Sequence, residues 1–357
     1  MTIDETIKLA KQHVAAGRQY DAKILYQAVL SQFPNSQPAR QGLRDIITLE
    51  QHEYTELSEV LELLNAKEYE QAYNRATDLT KKHSAPATAY ELLGRASAHL
   101  GRGVDALNAL KKSILLDGNN SSTHTFLADM LLGGAQFESA IIHYRRALEI
   151  DPKRLDTLNN LGVALSNIGH YQQSIECHET ALRIRPENAD SHNNLAVVYH
   201  DSGNYKLSIE HCEKAIKIHP LYDTALHNLG NAQMGLKLFN EAAKSYRRAL
   251  EISPHKFDVR SKLMLCLSRV CNWDELDIEK EHISEQFHNY PLGSEAPNPW
   301  AWLGIFDDPT LHKNISIANA EKYLASRPDL GPINRPDPSK KIRIGYFSAD
   351  FHDHPTT

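Results

Sequence analysis

The sequence lacks the marks of a secreted or membrane protein. Its four cysteines, Cys177, Cys212, Cys266 and Cys271, form no CxxC pair and meet no histidine at zinc spacing. Neither a disulfide framework nor a zinc site is expected from them, and a reducing, cytoplasmic home is the simplest one. No apolar run reaches the roughly 18 residues that a membrane span needs. The N-terminus, MTIDETIKLAKQHVAAGRQY, carries charges throughout and has no apolar signal-peptide core. Without a secretory route, the Asn-x-Ser triplets at Asn119, Asn120 and Asn314 carry little meaning. A net positive charge is also missing. At a formal −6 the chain has no overall field to draw in nucleic acid or an anionic membrane.

What the sequence does have is a period. Pro152, Pro186, Pro220 and Pro254 fall 34 residues apart, and one further step back reaches Gly118, another helix breaker. The residues between keep register: LNNLGVALSNIGHYQQSIECHETALRIRP aligns with HNNLAVVYHDSGNYKLSIEHCEKAIKIHP and with LHNLGNAQMGLKLFNEAAKSYRRALEISP. Each unit reads as two helices. Leu158, Leu161, Gly162 and Leu165 make one apolar stripe at helical period. Gly169 ends that helix, Tyr171 opens the next, and Pro186 stops it. Small residues recur where paired helices must approach: Gly162, Ala196 and Gly230; Ser174, Ser208 and Ala242; Ala181, Ala215 and Ala249.

The pattern resembles the tetratricopeptide repeat. The resemblance implies an all-α fold, a right-handed superhelix or α-solenoid of stacked hairpins in which each unit buries its apolar face on its neighbours. The clearest units span 87–256, within a repeat region expected over 1–288. A first unit has Ala22, Tyr26, Val29 and Pro34 in register; a second has Tyr69, Ala72, Ala76 and Leu79. About 16 extra residues separate these two and read as long or extra helices. The divergent last unit, Phe257 to His288, places Leu263, Leu267, Trp273 and Ile283 on core positions.

First helices of such repeats line the concave surface. Beside the core stripe runs a polar one: Asp156, Asn160 and Val163, then Asp190, Asn194 and Val197, then Thr224, Asn228 and Asn231. Asparagine is a mediocre helix former, so a merely solvated face should prefer Glu, Lys or Gln. A carboxamide can pair with both N–H and C=O of an extended peptide, so Asn160, Asn194 and Asn228 read as an exposed ladder that grips a chain by its backbone. The same stripe reads equally as a plain polar surface. Upstream it fades, with Phe126 and Leu92 at the equivalent positions. The histidines His124, His178 and His192 stand at core or core-flanking positions and read as packing groups, not as metal ligands.

After His288 the composition changes. Residues 289–339 read as a connecting segment, with one helix at SIANAEKYLASRP and a proline-punctuated linker, GPINRPDPSKK. Residues 340–357 begin with IRIGYF, whose alternating Ile342, Ile344 and Tyr346 predict a strand. His354 then falls where an α/β sheet binds ligands. His352 and His354 form an HxH pair without a third ligand in view, so no metal site is assigned.

CNWDEL, NPWAWLGIFDDPTLH and KIRIGYFSADFHDHPTT resemble segments found in the same order in the protein O-GlcNAc transferase family. That resemblance implies a tetratricopeptide arm feeding a two-lobed transferase, which moves N-acetylglucosamine from UDP-N-acetylglucosamine to Ser or Thr of proteins. It implies that His354 matches an active-site histidine, with Pro355 and Thr356 following it. It also implies that Asn160, Asn194 and Asn228, with Asp156 and Asp190, hold substrate peptide in the concave groove. Asp353 departs from the small or amide residue usual there. On this reading the chain ends at the first strand of a truncated α/β glycosyltransferase domain. It is then a substrate-recognition arm, inactive alone because the nucleotide-binding lobes are missing, and it holds no cofactor. The alternative is a free-standing protein-interaction scaffold. A co-chaperone clamp fits less well, since the stripe offers Asn and Asp where such clamps use Lys and Arg. An Asn acceptor, as in related glucosyltransferases, fits the same residues. A second copy of the chain is a further candidate partner through the repeats.

Overall fold

The structure, a computed structural model, describes residues 2–16, 18–82, 85–288 and 316–317. The chain divides into two compact units after Pro254. The first contains seven helical hairpins: α1 (Ile3–Ala15) with α2 (Gln19–Gln32), α3 (Gln37–Asn65) with α4 (Tyr69–Thr80), α5 (Ala87–His99) with α6 (Gly103–Leu116), α7 (Ser121–Gly133) with α8 (Phe137–Ile150), α9 (Leu155–Asn167) with α10 (Tyr171–Ile184), α11 (Ala189–Asp201) with α12 (Tyr205–Ile218), and α13 (Asp223–Gly235) with α14 (Phe239–Ile252). The second unit contains α15 (Phe257–Arg269) and α16 (Trp273–His288). Every regular element among the described residues is an α-helix. None is long and apolar enough to cross a membrane. The strand expected at Ile342–Phe347, the helix read from SIANAEKYLASRP and His354 lie outside the described residues, except for Ser316 and Ile317 of that helix.

Sequence dictates the hairpin in three places. The first is the turn inside each hairpin. Lys67, Gly101, Ala135, Gly169, Gly203, Lys237 and Cys271 all have positive φ, between 54° and 79°, and each lies 34 residues after the last. A single left-handed residue reverses the chain there, and only three of the seven are glycine. The second is the break between hairpins. Gly118, Pro152, Pro186, Pro220 and Pro254 all sit in turns just beyond a second helix. The third is the close approach within each hairpin. A Cβ on Gly162 would stand 2.5 Å from the His178 ring, and one on Gly230 would stand 2.5 Å from the Tyr246 ring. Glycine costs helix propensity, roughly 1 kcal/mol against alanine. Here it makes room for a ring on the second helix.

Burial follows the expected stripes. Leu158, Leu161 and Leu165 pack inward, as do Ala181, Ala215 and Ala249. In the last hairpin Leu263, Leu267 and Ile283 are buried, but Trp273, expected in the core, is 56% exposed. It opens α16 at the position held by Tyr171 and Tyr205, which are only half-buried themselves.

The extra residues near the N-terminus form one continuous helix. At 29 residues α3 is 16 longer than the 13-residue α5 or α9. Its first half, with Ala39 and Ile46, completes the core of Ile7, Ala22, Tyr26 and Val29. Its second half, with Val60 and Leu64, packs on Ala72, Leu79, Ala89 and Leu92. Cavities of about 210 and 360 Å³ flank the stretch between these two cores.

Candidate functional site

Neighbouring first helices pack on one another: α5 on α7, α7 on α9, α9 on α11 and α11 on α13. Second helices pack chiefly on first helices. The first-helix layer is therefore the more closely spaced one, on the inside of the curve.

That layer is joined by buried side-chain hydrogen bonds. The Thr123 hydroxyl donates to Glu91 Oε2 at 3.1 Å, the Thr125 and Thr157 hydroxyls meet at 2.8 Å, and the Ser191 hydroxyl donates to Asn159 Oδ1 at 2.9 Å. Each bond joins residues 32 apart. At the next interface Ala225 stands where the hydroxyl would be, and Asn228 Nδ2 donates to Asn193 Oδ1 instead, at 2.9 Å. Sequence reading missed this row, because Ser and Thr pass for solvated residues and their offset is not the repeat length.

The asparagine stripe lies on this face, half-buried where full exposure was expected. Its members differ. Asn160 Nδ2 donates to Asp129 Oδ1 at 2.8 Å, and the Tyr144 hydroxyl donates to the same oxygen at 2.6 Å. Burial raises the Asp129 carboxyl against the pull of those two donors. Asn228 spends its Nδ2 on Asn193. Asn194 has no side-chain partner among the described residues and lines a cavity of about 300 Å³. Two rungs thus offer a carbonyl oxygen, and Asn194 offers a whole carboxamide. Asp156 is exposed and paired with Arg154 at 3.1 Å; Asp190 is exposed and accepts from the Tyr222 hydroxyl at 2.7 Å.

Basic side chains are confined to one layer of these hairpins. Helices α7, α9, α11 and α13 contain Asp129, Asp156, Asp190, Asp201 and Asp223 and not one Lys or Arg. The bases sit on the second helices, each of which also carries two glutamates: Arg145 and Arg146 on α8, Arg183 on α10, Lys206, Lys214 and Lys217 on α12, and Lys244, Arg247 and Arg248 on α14.

The histidines are built into packing. His192 Nε2 faces the Pro186 carbonyl at 3.2 Å and His124 Nε2 faces the Gly118 carbonyl at 3.3 Å. A carbonyl can only accept, so each Nε2 carries the proton and each Nδ1 accepts. Their donors are His211 Nδ1 at 3.0 Å and His143 Nδ1 at 3.1 Å. Burial pushes His124, His143 and His192 below the usual range, and His211 to about 4. His178 is fully buried, and burial lowers it to about 4. Its Nδ1 donates to Asn159 Oδ1 at 3.1 Å, while Nε2 has no partner. Among the described residues no group of three or more His, Cys, Asp or Glu could hold a metal ion.

Tetratricopeptide-repeat profiles match residues 7–36, 57–123, 122–154, 143–176, 167–203 and 187–255. No curated protein matches the sequence. Among solved structures, MamA is 28% identical over 46% of this chain and 96% of its own, with a TM-score of 0.43. A thermophilic TPR protein of Thermus thermophilus is 19% identical over 51% of this chain and 98% of its own, with a TM-score of 0.43. The APC/C hetero-tetramer Cut9–Hcn1 is 15% identical, covers 88% of this chain and 55% of its own, and has a TM-score of 0.52, a likeness of fold. Matched profiles and hairpin geometry together make this chain a tetratricopeptide-repeat protein.

Proposed function

We propose that the chain is a protein-interaction scaffold whose first-helix face takes an extended, basic segment of a partner protein. The observation that carries this reading is the charge sorting: five aspartates and no Lys or Arg on α7, α9, α11 and α13. A surface of one sign steers and selects segments of the other. The asparagines supply the backbone part. Packed helices lie roughly 8–10 Å apart, and a polyproline II chain repeats every three residues, roughly 9 Å. One carboxamide per helix therefore meets an equivalent backbone group of such a chain each time.

The test is fluorescence anisotropy with a labelled twelve-residue Arg-Gly-Ser peptide and its Glu-Gly-Ser counterpart. The basic peptide should bind, more weakly as salt rises, and Asp156→Lys with Asp190→Lys should weaken it. Equal binding of the acidic peptide would refute the reading.

A more specific form makes this face the substrate arm of a protein O-GlcNAc transferase. What supports it is the sequence resemblance in KIRIGYFSADFHDHPTT and the 34-residue spacing of Asn160, Asn194 and Asn228. In that form His354 would serve the transfer from UDP-N-acetylglucosamine. Incubating the chain with labelled UDP-N-acetylglucosamine and a substrate protein, with and without the two catalytic lobes, tests it. Label is expected only with the lobes, and no label in either case sinks this form.

A further inference from the structure

One buried second-helix position varies between the hairpins of the acidic face. It carries Tyr144 in α8 and Tyr246 in α14, but the shorter His178 in α10 and Cys212 in α12. Both tyrosines are fully buried, and their hydroxyls reach the first helix of their own hairpin, at Asp129 and at Asn231. Imidazole is shorter, and the residue equivalent to Asp129 and Asn231 is Val163. A notch of about 300 Å³ opens between α9 and α11, lined among others by His178, Val163, Asn194, Val197 and Asp201.

Its chemistry is specific. Val163, Val197 and Val198 give it apolar walls. Its polar lining includes three acceptors, beside the Ser166 hydroxyl and the Asn167 and Asn194 amides. Asp201 is a carboxylate whose one ion-pair partner is its neighbour His200, at 3.0 Å. Asn194 has an unused carboxamide oxygen. His178 Nδ1 carries its proton, because Asn159 Oδ1 accepts from it. Nε2 is therefore a bare lone pair, buried and without a partner. No Lys or Arg lines the notch. A long apolar stem ending in several fixed donors meets all of this. A guanidinium has five N–H donors in a rigid fork, where an ammonium is a single point.

Building on the acidic-face reading, we infer that the notch between α9 and α11 is a specificity subsite that receives an arginine side chain of the bound segment. Its stem lies between Val163 and Val197. Its head bonds Asp201 and the Asn194 oxygen and brings a donor to the His178 end of the notch.

His178→Tyr tests this with a residue the chain already uses. Gly162 leaves the ring the same room that Gly230 leaves Tyr246, so the variant should fold, and the phenol should fill the notch. The probes are the labelled Arg-Gly-Ser peptide, its citrulline version and its lysine version. Wild type should prefer arginine over citrulline and lysine. His178→Tyr should erase that preference, weakening the arginine peptide about tenfold, the worth of a charge-assisted hydrogen bond, and leave the lysine peptide unchanged. In wild type, ¹⁵N-histidine spectra should show His178 Nε2 shifting on addition of the arginine peptide only. An arginine preference that survives in His178→Tyr overturns the subsite while the acidic face stands. Failure of every basic peptide to bind wild type overturns both.

Discussion

Protonating His178 should be costly to the repeat stack. The side chain is fully buried, and a proton on Nε2 would have no acceptor while lying against Gly162. Burial lowers its folded-state value to about 4 from an ordinary 6.5. In the unfolded chain it titrates at the ordinary value, so between these two pH values the unfolded state binds the extra proton and acid favours unfolding. The contribution is complete above pH 6.5 and drains away as pH falls to about 4. At 1.36 kcal/mol per unit, two and a half units give about 3 kcal/mol. Other groups titrate in this window, His211 among them, so the measurement is a difference. Urea unfolding of wild type and His178→Tyr, at steps from pH 7.5 to 4.5, subtracts everything the two proteins share. The curves should diverge below pH 6.5, wild type falling faster. Stacked repeats need not unfold in one step, so the transition that includes α9 to α12 should be followed, by hydrogen exchange if urea shows several. Parallel curves for the two proteins would refute the argument that this imidazole is held neutral by burial.

Three further outcomes follow from the geometry. Asn160→Ala should cost about 1–2 kcal/mol, because Asp129 loses one of its two donors inside the face, whereas Asn194→Ala should stay within about 0.5 kcal/mol; equal losses of melting temperature would contradict the difference drawn between the two rungs. Thr125→Val or Thr157→Val alone should cost about 1–3 kcal/mol and the double replacement much less, since a buried polar atom is worst when its partner is removed; a double-mutant cycle measures this, and additive losses count against it. At the left-handed turn position, Gly169→Ala should lose about 1 kcal/mol and Ala135→Gly should gain somewhat less; thermal melts giving the same sign for both would exclude strain at that turn.

The period was legible because its markers are rigid in meaning. Pro186 cannot continue a helix, and Ala181 or Gly162 leaves space that only a close neighbour fills. Helix α3 was harder to read, since nothing between Pro38 and Asn65 breaks it except Gly42, and Gly42 is needed there. A Cβ on it would come within 2.3 Å of the Tyr26 ring. Trp273 was misplaced because size suggested burial at a position that faces outward. The site was legible only as a stripe. Sequence alone could place Asn160, Asn194 and Asn228 on one face, but not divide them into engaged and free. That division depends on Asp129 and Asn193, which belong to neighbouring hairpins. The charge sorting and the His178 notch were written in the repeats as well. They emerge when residues are compared at equal positions across hairpins, Tyr144 and Tyr246 against His178 and Cys212.

The row of bonds at Glu91–Thr123, Thr125–Thr157 and Asn159–Ser191 also sets how the stack can bend. Each bond ties first helices near their N-terminal ends, within the first five residues of α5, α7, α9 and α11. Pages bound along one spine still fan at the free edge. The opposite ends, where Ser166, Asn167 and Asp201 lie, have no such tie in the row, so elastic opening of the stack widens the groove there before it strains the bound edge. Between α11 and α13 the tie moves three residues along, to Asn228, about 4.5 Å nearer the middle of the helix. That shortens the lever arm and stiffens the stack at this interface. Asn160 and Asp129 add a second tie between α7 and α9, so pulling on the two ends of the stack should be felt first as a change in groove width between α9 and α11, turning tension into a change of grip.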